Sequence, residues 1–251
     1  MPEVRGWNPV DDPVISALRR RFARAGTVGI ALDVDDVKAD TSRPRFVTMA
    51  QKYGLPPGKT VDDLMSEYEY IEDVPLWQTP AALADAATMR VSVPLHLALA
   101  PLPGAVAGVA GLNAVVPVVV DITSRIGPMR ASTAEWNRRN GFPDVPVITG
   151  PAPIDPAALS TVGDWKVAVL EYLWPYVIGI VDDNPKLLNA LPWDYPGHVY
   201  VFGDRAATRP PVHPRAHVTP DWAAVQSAVR ADLAAQPPAM TAQARRGQAL
   251  G

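Results

Sequence analysis

The sequence predicts a three-layer α/β sandwich: a parallel sheet covered by helices on both faces, with a helical insertion after its first strand. Three observations carry this. Five short runs of branched apolar residues recur along the 251-residue chain, and none alternates cleanly between polar and apolar. That is the pattern of strands buried on both faces of a parallel sheet. Segments of helical pattern separate the runs, the rhythm of strand–helix–strand units. The long interval between the first and second runs holds helical segments and no convincing strand.

In chain order, PVISALRRRFARAG (13–26) reads as a helix and TVGIAL (27–32) as the first strand. RPRFVTMAQKYGL (43–55), TVDDLMSEYEY (60–70) and TPAALADAATM (79–89) read as the helices of the insertion. VVPVVVDI (115–122) is the second strand. The segment PMRASTAEWNRRNG (128–141) is a helix with Gly141 as its stop. VPVI (145–148), YVIGIV (176–181) and HVYVF (198–202) are the remaining strands, with VGDWKVAVLEYLW (162–174) and WAAVQSAVRADLAA (222–235) as helices. The glycines around 104–111 lack the GxGxxG arrangement and suit close helix packing. The expected organisation is a core of residues 1–37 and 104–235, a helical cap of residues 38–103, and a tail of residues 236–251. That tail is Ala, Gln and Pro with little to bury, so it is expected to be disordered.

Composition narrows the function classes. Hydrophobic residues make up 48% and charged residues 20%, the balance of a soluble globular chain. The net charge of -3 and the lack of a basic run argue against an extended nucleic-acid surface, though not against a nucleotide as a small substrate. There is no Cys, which excludes disulfides, thiolate nucleophiles and Cys-based zinc sites and fits a cytoplasmic chain. The N-terminal MPEVRGWNPVDDP has no apolar stretch of the secretory kind. The most apolar tract, Val91 to Ile122, is broken by Pro94, Pro101, Pro103 and Pro117 and reads as core elements, not a membrane span.

The chemistry is expected at the carboxyl ends of the strands, where ligands bind in open parallel sheets. The first strand ends in Asp33-Val-Asp35-Asp36-Val37, the second in Asp121-Ile-Thr123-Ser124-Arg125, and the fourth in Asp182-Asp183-Asn184. Lys166 lies on the helix before the fourth strand. Carboxylates this close repel one another, and a hard divalent cation such as Mg²⁺ offsets that repulsion with oxygen ligands. With charge neutralised, one first-strand carboxylate can attack an electrophilic phosphorus, and the other, two residues on, can handle the protons of the leaving group and of water. The bland alternatives are a solvated strand end or N-cap at Asp33 and Asp35, a turn at Asp182-Asp183-Asn184-Pro185, helix caps at Thr123 and Ser124, and a solvated Lys166.

Asp33-Val-Asp35-Asp36-Val37 after an apolar strand resembles the DxDx(T/V) motif of the haloacid dehalogenase-like (HAD) phosphohydrolases. VVVDIT ending at Thr123, Lys166, and VIGIVDDNP with Asp182 and Asp183 are similar to that family's second, third and fourth motifs, in the same order. The stretches DVDDVKADTSRPRF, ITSRIGPMRASTAEWNRRNGFP and WKVAVLEYLWPYVIGIVDDNP resemble the 5′(3′)-deoxyribonucleotidase-like branch. The resemblance implies a Rossmann-like core with a small helical cap and a Mg²⁺-dependent phosphatase acting on a nucleoside monophosphate or other small phosphate ester. It implies Asp33 as nucleophile, Asp35 as general acid/base, Thr123 and Ser124 with Lys166 as phosphate ligands, and Asp33, Asp35 (by its backbone carbonyl), Asp182 and Asp183 around the metal. Asp36 departs from the family's usual Gly and adds negative charge beside an anionic substrate. A polynucleotide 3′-phosphatase and a non-catalytic phosphate binder are the competing readings.

The four histidines, His96, His198, His213 and His217, show no metal-ligand spacing and read as core or surface residues. Phe46, Tyr53, Tyr68, Tyr70 and Trp77 either form a cap core or stack on a base; Phe46 and Trp77 are the expected base contacts if a base is bound.

Overall fold

The computed structural model describes residues 8–150, 160–184, 186–203 and 213–235. The expected disordered tail, residues 236–251, lies outside the described residues. Helix α1 (Pro13–Ala25) leads to strand β1 (Gly29–Leu32). Helices α2 (Ser42–Tyr53), α3 (Val61–Glu67), α4 (Pro80–Val91) and α5 (Val93–Ala98) follow, and α6 (Ala105–Asn113) returns the chain to β2 (Val118–Ile126). Then come α7 (Arg130–Arg139), β3 (Val147–Gly150), α8 (Ser160–Leu173), β4 (Val177–Asp182), α9 (Lys186–Ala190), β5 (His198–Phe202), β6 (Ala216–Thr219) and α10 (Trp222–Ala235).

Among the described residues six strands form one sheet in the order β3-β2-β1-β4-β5-β6, and every pairing is parallel. β1 is therefore central, and strand order reverses on either side of it. The sixth strand was not expected from the sequence. Its four residues, AHVT, are mostly half-exposed because it closes the edge of the sheet, so no apolar run marks it.

Each face of the sheet has its own core. On one face Ile30, Leu32, Val118 and Tyr200 pack with Val109 of α6, Trp136 of α7 and Trp222 and Val225 of α10. On the other, Ala31, Val120, Ile122, Ile180 and Val199 pack with Ile15 and Phe22 of α1 and Trp165 and Leu170 of α8. Full burial of such side chains stabilises by roughly 1.5–3 kcal/mol each. The contact of α6 with α10 depends on Gly108, where a Cβ would lie 2.1 Å from Cγ of Trp222. Close helix packing, expected of these glycines, is what the structure shows.

A third cluster belongs to the insertion alone: Phe46, Met49, Leu64, Ile71, Val74, Trp77, Ala82 and Ala86. Thr60 caps α3 in a reciprocal arrangement with Asp63, and Thr79 caps α4. The two connections to the core run side by side. Asp40 N–H donates to Ala100 O and Leu102 N–H to Lys38 O, with Ala39 and Pro101 bridged antiparallel. No helix among the described residues is long and apolar enough to cross a membrane.

Candidate active site

Register brings the acidic strand ends together. Leu32 of β1 lies opposite Asp121 of β2 and Val181 of β4. The next residues along each strand, Asp33, Ile122-Thr123 and Asp182, consequently share one edge of the sheet. Asp33 N–H still donates to Val181 O at 2.9 Å, fixing its backbone in the ladder. Burial of these strands on both faces fixes the register, since a slip by one residue would turn every side chain over.

Lys166 enters this edge from α8. Its Nζ donates to Asp33 Oδ2 at 2.8 Å and to Asp182 Oδ2 at 2.6 Å. Asp33 is 4%, Lys166 3% and Asp182 0% exposed. The other Asp33 oxygen accepts from Val34 N–H at 2.7 Å, and Asp182 Oδ1 accepts from Asn184 N–H at 2.9 Å. Asp33, Asp182 and Asp183 each offer a carboxylate oxygen, all within 4.8 Å of one another. Burial pushes the Asp33 carboxyl up to about 7; Lys166 offsets only part of this, and the charges of Asp182 and Asp35 add to it. Burial and the charges of Asp36, Asp182 and Asp33 hold the Asp183 carboxyl well above the usual carboxylate range. Burial pulls the Lys166 ammonium down, but Asp182 and Asp33 outweigh it and keep the group protonated, above its usual range.

Asp35 sits in a different setting. Arg125 Nη2 donates to its Oδ1 at 2.7 Å, Arg125 Nε lies 3.2 Å from both oxygens, and Thr41 Oγ1 donates to Oδ1 at 2.7 Å. Burial would raise this carboxyl, yet the Arg125 charge and hydrogen bonds, with Arg45 and His96 behind them, hold it well below the usual range. Arg125 is itself anchored by Nη1 donation to Thr133 Oγ1 at 3.2 Å. Arg45 of α2 reaches the same region and donates from Nη2 to His96 Nε2 at 3.0 Å; its buried Nε has no partner among the described residues. Burial and the Arg125 charge pull His96 down to about 4.

Asp36 takes the left-handed backbone conformation, φ 54°. Its carboxylate accepts from Thr41 N–H at 3.1 Å, from Ser42 N–H at 2.9 Å and from the Ser42 hydroxyl. It thereby closes the loop onto the start of α2, where Thr41 makes no side-chain cap of its own. The charge expected to oppose an anionic substrate is thus engaged in holding the loop.

Beneath the strand ends, Lys38 Nζ donates to Asp121 Oδ2 at 2.6 Å and to Asn137 Oδ1 at 2.9 Å, and Asn137 Nδ2 donates to the same Asp121 oxygen at 2.6 Å. All three are buried. Sequence reasoning did not foresee this network, because the partners come from three separate segments.

Thr123 is fully buried in the second half of β2, and its Oγ1 accepts from Arg125 N–H at 3.3 Å; Ser124 beside it is half-buried. Phe46 and Trp77 do not reach this edge. They are 1% and 0% exposed, their rings meet at 5.7 Å, and Trp77 Nε1 donates to Gly54 O at 3.0 Å. The expectation that they contact a base is corrected: they are the largest apolar side chains of the insertion's core and have no free face. Tyr70 is the aromatic that touches the strand ends, accepting from Asn184 Nδ2 at 3.0 Å.

No protein-family model matches the sequence, and no curated protein matches it. Among solved structures, a HAD family hydrolase from Deinococcus radiodurans R1, with bound phosphate and sodium, is similar at 13% identity, 82% coverage of this chain, 89% coverage of that chain and a TM-score of 0.34. At that TM-score the likeness carries no argument, and the α/β architecture stands on the strand order and register of this chain.

The donor set fits a hard divalent cation. Three carboxylates crowd one ammonium, all donors are oxygen, and two of the carboxyls are driven up by burial and by their neighbouring carboxylates.

Proposed function

We propose that the protein is a Mg²⁺-dependent phosphomonoester hydrolase of the HAD type, acting on a nucleoside monophosphate or another small phosphate ester. The observation that carries the proposal is the bridge from Asp33 through Lys166 to Asp182, with Asp183 beside it, at the carboxyl edge of β1 and β4. Asp33, Asp182 and Asp183, with the Asp35 carbonyl, would hold Mg²⁺, which supplies neutralising charge for the phosphoryl oxygens when bound.

The chain's own residues divide the rest. One Asp33 oxygen attacks phosphorus, the ester P–O bond breaks, and an aspartyl-phosphate forms. Lys166, already bonded to Asp33, steadies the transferred oxygens together with Thr123 and Ser124. The leaving oxygen takes a proton from Asp35. Water then attacks phosphorus, Asp35 takes the proton that water gives up, and Asp33 is regenerated with release of inorganic phosphate. Asp35 is held ionised by Arg125 in this structure, so its acid step requires the Arg125 contact to open first. The hydrogen bond from Asn184 to Tyr70 draws the insertion over the strand ends, which favours a small ester over a polynucleotide.

The test is hydrolysis of p-nitrophenyl phosphate and a panel of nucleoside monophosphates, with Mg²⁺ and with chelator, by wild type and by Asp33→Asn. The variant is expected to lose at least about a thousandfold in kcat while keeping its circular dichroism spectrum. Full activity of Asp33→Asn removes the mechanism. Zero turnover by wild type across the panel turns the reading towards a non-catalytic phosphate binder.

A further inference from the structure

A second cluster of metal-ligating side chains lies outside the acidic edge. His198 opens β5, His217 lies on β6 and Asp232 on α10. Tyr200 and His217 are opposite one another in the β5–β6 ladder. His198, two residues before Tyr200, therefore projects from the same face. His198 pairs with Gly179 of β4, three residues before Asp182, so the cluster is set back along the sheet and one to two strands outward from the site above.

The donor atoms form a tight triangle. Asp232 Oδ2 lies 3.1 Å from His198 Nδ1 and 3.0 Å from His217 Nε2, and the two nitrogens are 3.4 Å apart. A first-row cation with bonds of about 2.0–2.1 Å spaces its ligand atoms about 2.9 Å apart in octahedral geometry and about 3.3 Å in tetrahedral geometry. The observed edges, 3.0, 3.1 and 3.4 Å, lie within about 0.1 Å of that interval. In addition, the Tyr200 hydroxyl donates to the same Asp232 oxygen at 2.7 Å, so a hydroxyl and two imidazole nitrogens converge on one carboxylate oxygen. A cation in the triangle would relieve that crowding.

We propose that His198, His217 and Asp232 form a second metal site, selective for a borderline first-row divalent cation such as Zn²⁺. Two imidazoles and one carboxylate suit Zn²⁺ and disfavour Mg²⁺, which the oxygen-only edge suits. Three protein ligands leave an open position for solvent, and His217, with its side chain 33% exposed, provides the entry. The ion would tie β5, β6 and α10 together at the edge of the sheet. Two features oppose loading. Arg215 Nη1 stands 3.4 Å from His198 Nε2 and must withdraw from a dication. The imidazole rings, inclined at 27°, must turn to aim both lone pairs at one point.

The experiment is calorimetric titration of untagged, metal-stripped protein with Zn²⁺ in saturating Mg²⁺, backed by the visible absorption of bound Co²⁺. One Zn²⁺ per chain is expected. His217→Ala should weaken it by about 100-fold or more, Arg215→Ala should tighten it several-fold, and Asp183→Asn at the acidic edge should leave it unchanged. Zn²⁺ should also raise the unfolding temperature of the wild type and not that of His217→Ala. If His217→Ala fails to fold, His217→Gln takes its place. No binding in excess Mg²⁺, binding that survives the His217 substitution, or binding abolished by Asp183→Asn instead would overturn the proposal.

Discussion

Replacing Lys166 with Met should make the metal-free protein less stable by about 3–5 kcal/mol near pH 7.5, the usual cost of removing one partner from a buried ion pair. The structure sets this magnitude. Lys166 is 3% exposed and bonds two carboxylates that are 4% and 0% exposed. Met retains most of the apolar stem, so the loss is chiefly that of charge. An orphaned carboxylate escapes by taking up a proton. At about 1.4 kcal/mol per pH unit above an unfolded pKa near 3.9, that uptake costs about 5 kcal/mol at pH 7.5 and about 2 kcal/mol at pH 5.5. A carboxyl with a raised folded pKa contributes stability that is fully present below the unfolded pKa and lost as pH rises through the folded one. The deficit of the variant should therefore shrink on acidification. Urea unfolding in chelator at the two pH values measures it, and the wild type serves as reference. A deficit under about 1 kcal/mol at pH 7.5, or one that is equal at both pH values, refutes Lys166 as the resident counter-ion.

With Asp33 raised to about 7 by burial, metal binding should displace its proton. Apparent Mg²⁺ affinity should rise up to about tenfold per pH unit below 7 and level off above it, as calorimetry at three pH values would show. The same group makes the metal-free wild type lose stability as pH rises from about 4 through about 7, so added Mg²⁺ should stabilise most above that range. Phe46→Ala and Trp77→Ala should each cost about 3–5 kcal/mol of stability, read by denaturant unfolding, and leave the ranking of nucleotide substrates unchanged. Asp36→Gly removes carboxylate bonds to the start of α2, costing about 1 kcal/mol, but relieves a left-handed non-glycine residue worth about as much. Its net change should be within about 1 kcal/mol by the same measurement.

The five buried strands could be anticipated because each is an unbroken apolar run, and the acidic strand ends stand out against such runs; their order in the sheet could not. What pairs with each carboxylate could not. Arg125 grips Asp35 across 90 positions, a pairing that no spacing in the sequence marks. Lys38 and Asp121 are 83 positions apart and neutralise each other out of sight. Spacing along the chain carries no information about such pairs, since only register and helix placement create them. Phe46 and Trp77 show the same gap for apolar contacts: an aromatic that fills a core and one that faces a ligand have identical side chains. Tyr70 has a hydroxyl that lets it end at a polar edge, but Tyr53 and Tyr68 carry the same group, and the Tyr53 hydroxyl bonds Asp85 within the insertion instead. His198 and His217 lie 19 positions apart in a stretch without motif spacing and meet only because β6, too short and exposed to stand out, pairs beside β5.

The paired connections at Lys38–Asp40 and Ala100–Leu102 have a topological corollary. The helical insertion leaves and re-enters through a single doorway whose two jambs are hydrogen-bonded neighbours, about 5 Å apart as in any sheet. A lineage could shorten, lengthen or exchange everything beyond that threshold without stretching the sheet, because the gap to be rejoined is no wider than a tight turn.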